Sequence, residues 1–278
     1  NSRIKIFMNI NINKIPLEGL YNTRDLGGIP TLDGHKIKHH RLIRSGVLKN
    51  ASPHDQAVLI EDYDLRLIVD LRTGIEISET PDPYFPTVKV IVNQILENPG
   101  NVLIHSKSPN IDKVETLLGR FKSKGLTPEE YMMTLYADMV NSKYSQEQIG
   151  KFLKIIINHE HGSTLWHCNE GKDRTGVCTA ILLACLNVSL DVIVEDYHIT
   201  GHFMHEKFKA TISKYNIKQE ISPELRNVLY TILTAKESYI LNVFSTINAY
   251  YGGLDNYRRN FLGINDDEIM KLRQMYLD

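Results

Sequence analysis

Strands that alternate with helices and then give way to a helical tail predict an α/β fold on a mostly parallel sheet. Three stretches carry that prediction. Residues 65–72 (LRLIVDLR) form a short apolar run that ends in charge, as a buried parallel strand does when its polar end reaches a working edge. Residues 163–168 (STLWHC) form a second short strand, which passes through a glycine-containing loop into the apolar helix 175–186. From residue 191 to 278 the pattern is helical, interrupted at Ser222-Pro223 and Gly252-Gly253.

The elements follow in order. Residues 1–30 read as extended and turn structure, with Gly27-Gly28 as a turn signal. Residues 37–45 read as a strand with polar flanks. Ser52 is placed to cap a helix with Pro53 at its first position, running to residue 63. After strand 65–72, Pro81, Pro83 and Pro86 mark a loop, and the β-branched residues 87–92 (TVKVIV) read as a further strand. Helices are expected over 114–122, 128–140 and 145–160. Ser145 and Gln148 stand at capping-box spacing for the last of these.

Composition narrows the function. The chain has 278 residues, 42% hydrophobic and 23% charged, which excludes a disordered protein. No run approaches the ~20 apolar residues of a membrane-spanning helix. Lys plus Arg number 32 against 33 Asp plus Glu, so the basic excess of nucleic-acid binders is missing, and no nucleic acid partner is expected. No repeat or long linker divides the chain, and one domain over 1–278 is expected. The three cysteines, Cys168, Cys178 and Cys185, are no disulfide framework. Residues 1–10 (NSRIKIFMNI) do not read as a signal peptide. A cytoplasmic location is the expectation, secretion the alternative.

The chemistry lies in residues 166–176, WHCNEGKDRTG. A strand delivers Cys168, and a helix begins at Arg174, after five intervening residues. The loop between them must curl, which Gly171 permits. A loop of this kind at a helix N-terminus turns the amides of Asn169, Glu170, Gly171, Lys172 and Asp173 toward one anion, helped by a macrodipole of about +0.5 charge. Arg174 adds a donor fork suited to phosphate oxygens. The same field activates the sulfur: a helix N-terminus and nearby cations lower a cysteine pKa from ~8.5 to ~3.5–7.5. The expected reaction is in-line attack of Cys168 on phosphorus, followed by hydrolysis of the thiophosphoryl enzyme. Loop amides and Arg174 would hold the equatorial oxygens, so no metal and no cofactor is called for. Thr175 can donate to the thiolate, and His167 can orient the loop through a backbone carbonyl. Asp173, beside Arg174, and Asp70, at a strand end, compete as the general acid. Arg24, Asp25, Arg72 and Glu76 are candidates for ion pairs that brace the loop.

His-Cys-x-x-Gly-Lys-Asp-Arg-Thr-Gly between a strand and an apolar helix resembles the cysteine-dependent tyrosine phosphatases, and among them the bacterial enzymes with Lys-Asp before the loop arginine. Residues 22–28 (NTRDLGG), 41–46 (RLIRSG), 70–72 (DLR), 191–197 (DVIVEDY) and 251–257 (YGGLDNY) extend the resemblance over nearly the whole chain. It implies the phosphatase fold, with a central parallel sheet flanked by helices and a helical lid after Thr200. It implies activity on phosphotyrosine, with some relatives acting on phosphoserine, phosphothreonine or phosphoinositides. It favours Asp173 as the acid and suggests that Lys172 meets anionic lipid headgroups. Glu170 departs from the relatives' usual alanine, and its carboxylate would oppose a dianion unless it points outward.

Two other classes compete. A phosphate-binding module without turnover would keep the same loop. Thiol redox chemistry or arsenate reduction would need a resolving cysteine, and Cys178 sits on an apolar helix face one turn-pair from Cys185.

Overall fold

A computed structural model describes residues 13–97, 119, 121, 123, 125–216 and 222–278. Five strands form one sheet: β1 (Arg24–Asp25), β2 (Leu42–Ser45), β3 (Leu65–Asp70), β4 (Lys89–Val92) and β5 (Ser163–His167), in the order β1-β2-β5-β3-β4. β1 runs antiparallel to β2, and every other pairing is parallel. The α/β class expected from the sequence is what the chain adopts. Ser45 pairs with His167, His167 with Asp70, and Asp70 with Val92. The carboxyl ends of four strands are therefore level, at the edge where open α/β sheets bind their ligands.

Side chains alternate across the sheet, as a strand requires. Leu42, Val69 and Trp166 face the larger core, while Ile43, Ile68 and Leu165 face a smaller one with Leu20, Leu59 and Phe85. Leu65 and Leu67 would share a face by strict alternation but lie in different cores, because the register shifts between them. The larger core is built with helices α3 (Pro128–Asn141), α4 (Lys143–Ile157), α5 (Asp173–Cys185), α6 (Leu190–Asn216), α7 (Pro223–Leu233) and α8 (Glu237–Tyr251). Short helices α1 (Pro53–Ala57) and α2 (Gly74–Glu79) precede them, and α9 (Leu254–Asn260) and α10 (Asp266–Tyr276) close the chain. All but one residue of α5 is buried, and beyond its charged first turn the helix is largely apolar because it runs through the middle of the molecule. Cys178 and Cys185 are buried in it. Burial pushes the Cys185 thiol up to about 12. No helix among the described residues is long and apolar enough to cross a membrane.

Several boundaries differ from expectation. The strand over 37–45 shortens to Leu42–Ser45, and Ile37 instead bridges Leu277. The helix after Ser52 is α-helical only to Ala57, then widens to a turn in which Tyr63 N donates to the Val58 carbonyl. α4 is capped by Ser142, not by Ser145, whose hydroxyl donates to the Ile95 carbonyl. α5 starts at Asp173, one residue early. The helix expected over 114–122 lies outside the described residues, apart from Gly119 and Phe121, both helical.

Candidate active site

The loop after β5 is held from outside, carbonyl by carbonyl. His167 Nδ1 meets the Cys168 carbonyl at 3.2 Å. The Asn169 carbonyl accepts from Val47 N and from the Tyr21 hydroxyl, each at 2.9 Å. The Glu170 and Gly171 carbonyls accept from Asn22 Nδ2 at 3.0 and 3.1 Å, and Arg44 also donates to Gly171 at 2.9 Å. Among the described residues all peptides are trans, and a trans peptide sets its N–H opposite its C=O. With the carbonyls turned out to the scaffold, the N–H groups of Asn169, Glu170, Gly171 and Lys172 turn to the inner side, where α5 begins. Gly171 has φ +65°, and a Cβ there would lie 2.5 Å from the Ser45 carbonyl oxygen. Both its conformation and its close approach exclude a side chain.

Cys168 stands at the foot of this turn, unpaired and buried. Arg174, in the first turn of α5, donates through both terminal nitrogens to Glu76, at 2.6 and 2.8 Å. Burial would lower its affinity for the proton, but the Glu76 carboxylate outweighs burial and holds it above the usual range. Glu76 is also the capping-box residue of α2. Its carboxylate accepts from Thr73 N, Thr73 Oγ1 and Asn169 Nδ2 besides Arg174. One side chain therefore fixes a helix start, the loop and the arginine together.

Two further braces lie beneath. Arg24 donates to Asp196 Oδ1 at 2.9 Å and to Asn22 Oδ1 at 2.6 Å, and Arg44 pairs with Asp196 Oδ2. Burial and the neighbouring Arg44 push Arg24 down to about 10, against the pull of Asp196. On the other side Arg72 grips Asp70 through Nε and Nη2 and reaches Asp82 at 2.5 Å, while His167 Nε2 lies 3.3 Å from Asp82. Among the described residues Asp70, Asp82 and His167 are the one trio spaced to hold a metal ion. The Arg72 guanidinium already supplies the cation those carboxylates need.

Not every expected residue reaches the loop's inner side. Asp25 accepts from Gly27 N and His40 N and holds its own turn. Lys172 does not extend toward a ligand: its buried Nζ donates to the Ile232 and Thr234 carbonyls at the end of α7 and pairs with Asp173 at 3.2 Å. Thr175 Oγ1 is buried without a hydrogen-bond partner, so the expected bond to the sulfur is absent. Asp70 is committed to Arg72; burial pushes its carboxyl up, but His167 and Arg72 outweigh that and hold it below the usual range, which ill suits an acid. The Glu170 carboxylate accepts from Tyr21 Oη at 2.9 Å. Asp173 meets the Tyr136 hydroxyl at 2.7 Å. Tyr21, Asp82 and Tyr136 had no signal in the sequence, since each arrives from a distant segment through tertiary packing.

A buried thiol, a guanidinium and a loop with its carbonyls pinned outward thus come together at the N-terminus of α5. Residues 15–278 match the tyrosine phosphatase family, and the chain belongs to that family. Relatives agree. A Cupriavidus necator protein assigned to the tyrosine-protein phosphatases is 27% identical over 267 residues, covering 95% of this chain and 88% of its own. A tyrosine-protein phosphatase of Nostoc commune is 26% identical over 151 residues, about half of each chain. The triple specificity protein phosphatase PtpB of Mycobacterium tuberculosis is 24% identical over 280 residues, covering 94% of this chain and 98% of its own. The chain is thus a phosphoric monoester hydrolase with phosphoprotein substrates.

Proposed function

We propose that Cys168 attacks the phosphorus of phosphotyrosine in line, displaces the phenoxide and leaves a thiophosphoryl enzyme that water then hydrolyses. The observation that carries this reading is the outward pinning of the loop carbonyls, which aims a set of amides where the equatorial oxygens would lie. Arg174, oriented by Glu76, adds charge-assisted donors. Asp173 protonates the leaving phenoxide and then takes a proton from the attacking water. In this reading no metal takes part. Thr175 has a hydroxyl to spare for the sulfur once the loop is loaded. The segment after Thr200 serves as a lid, which the Lys172 contacts to the end of α7 support. The whole chain 1–278 acts as one domain. Three cysteines without a disulfide support a reducing, cytoplasmic setting, with secretion the alternative.

The triple-specificity relative makes phosphoserine and phosphothreonine the first other substrates to try. Phosphoinositides come second, because Lys172 is engaged with backbone carbonyls. The test is hydrolysis of phosphotyrosyl, phosphoseryl and phosphothreonyl peptides and of phosphoinositides by wild type and Cys168→Ser. Phosphotyrosine should turn over fastest, and Cys168→Ser should abolish turnover while still binding the peptide. A wild type that binds without turnover would make it a binding module. Turnover that survives in Cys168→Ser would assign the nucleophile elsewhere.

A further inference from the structure

Asn22 is far from the phosphate loop in sequence and against it in space. It is fully buried, and its backbone lies in the left-handed region at φ +55°. Few side chains adopt that region readily, and asparagine is one of them. Its amide is engaged at both ends. Nδ2 donates to the Glu170 and Gly171 carbonyls at 3.0 and 3.1 Å, and Oδ1 accepts from Arg24 Nη1 at 2.6 Å. A guanidinium only donates and a carbonyl only accepts, so the partners fix which end of the amide is which. Arg24 is held in turn. Its Nε donates to Asp196 Oδ1 on α6 at 2.9 Å, and its Nη2 to the Asp196 carbonyl at 2.8 Å and to Thr200 Oγ1 at 3.1 Å. The contact with the loop is tight: a Cβ on Gly171 would lie 2.8 Å from Asn22 Nδ2.

The Glu170 carbonyl shares a peptide plane with Gly171 N–H, and the Gly171 carbonyl with Lys172 N–H. One side chain therefore meets two adjacent planes. We propose that Asn22, oriented by Arg24, is a positioning residue for the phosphate loop: it sets both planes and so aims the Gly171 and Lys172 amides at the equatorial oxygens of the transferred phosphoryl group. The inference rests on the role proposed above for those amides. The position asks for two properties together, a left-handed backbone and a short amide that donates twice and accepts once. Glycine has the first alone. Aspartate keeps the shape, but while ionised it has no proton to give and sets a charge against two carbonyl oxygens. The charged donor on Oδ1 polarises the amide and strengthens Nδ2 as a donor. Amides fixed in advance act most on charge that develops in the transition state. Arg44 also donates to the Gly171 carbonyl, so loss of Asn22 misaims the amides without releasing the loop.

The experiment measures kcat and KM for an aryl phosphate, and inhibition by orthovanadate and by inorganic phosphate, in wild type, Asn22→Asp, Asn22→Gly and Cys168→Ser. Vanadate held by a nucleophile takes the five-coordinate shape of the transition state, whereas phosphate stands for the ground state. Asn22→Asp should lower kcat on the order of 10²-fold, the scale of one lost oxyanion donor. Vanadate inhibition should weaken by a similar factor, while KM and phosphate inhibition change less. Asn22→Gly suits the left-handed backbone and carries the test if Asn22→Asp fails to fold. It should lower kcat and vanadate affinity about tenfold, since the amides are misaimed and no charge is added. A merely structural asparagine would lower the melting temperature and leave kcat and vanadate inhibition at wild-type values. That outcome, or a vanadate loss no greater than the phosphate loss, overturns the proposal and leaves the reading of Cys168 standing. A wild type that vanadate does not inhibit, or turnover that survives Cys168→Ser, overturns the reading itself, and the proposal falls with it.

Discussion

Glu76 is the residue on which the loop's charge balance turns. Its two oxygens receive five donors from three parts of the chain: Thr73 N and Oγ1, Asn169 Nδ2, and both terminal nitrogens of Arg174. Replacement by alanine leaves a buried guanidinium without its hydrogen-bonded carboxylate, and breaking a buried pair typically costs 3–5 kcal/mol, about 3 being expected here because Asp173 still lies near it. Glu76→Ala should therefore lower the urea midpoint sharply and reduce kcat/KM, because Arg174 loses its orientation as well as its partner. An unchanged midpoint would mean that Arg174 is held by something else. The residues of the site were legible in the sequence to the extent that they are contiguous. Cys168, Gly171, Asp173 and Arg174 share one loop, so their spacing alone implied the chemistry. Tyr21, Asp82 and Tyr136 act from other segments, and nothing in their local sequence marks them. The partners of Lys172 could not be read either: a cation in a phosphate loop suggests a ligand, and only tertiary packing brings the carbonyls at the end of α7 to its ammonium.

At the scale of elements, Lys172 joins the phosphate loop to α7. The last carbonyls of a helix have no partner within it, and its C-terminus carries a partial negative charge that a cation favours. Lys172 Nζ satisfies Ile232 and Thr234 at that end. Lys172→Met keeps the stem but removes three contacts, leaving buried acceptors unsatisfied at about 1–3 kcal/mol. The variant should melt lower, and amide exchange should quicken around 231–236 more than elsewhere. Uniform exchange across the chain would show that the lysine does not fasten α7. The start of α1 was readable from Ser52 followed by Pro53, to which the structure adds a capping box with Asp55. Ser145 failed as a cap because Ser142, three residues earlier, takes that role while Ser145 turns to the Ile95 carbonyl. Neighbouring serines look alike in sequence, and only the packing of α4 against the segment before it separates them.

For the molecule as a whole, the sheet's strand order could not be read from sequence, since parallel neighbours are set by crossovers and not by adjacency. That order places β5 between β2 and β3 and so puts two buried ion clusters on either side of the loop. Their titration sets the pH range of the fold. On one side burial pushes the Asp196 carboxyl up, but Arg24 and Arg44 outweigh it and hold it below the usual range. Asp70 is held down likewise by His167 and Arg72. For both, the folded value lies under the unfolded ~3.9, so their stabilisation is complete above that pH and is lost as pH falls through the folded value. His167 has the opposite sign. Burial pushes it down, but Asp70 and Asp82 outweigh burial and raise it above its ordinary range. Its stabilisation is complete below the unfolded ~6.5 and is lost as pH rises through the folded value. Melting temperature should therefore peak between about pH 4 and 6.5 and decline on both sides. His167→Asn should lower the peak and flatten the decline above it, leaving the acid side unchanged in form. A variant that keeps the full alkaline decline would show that another group, and not the imidazole between two aspartates, sets the upper limit.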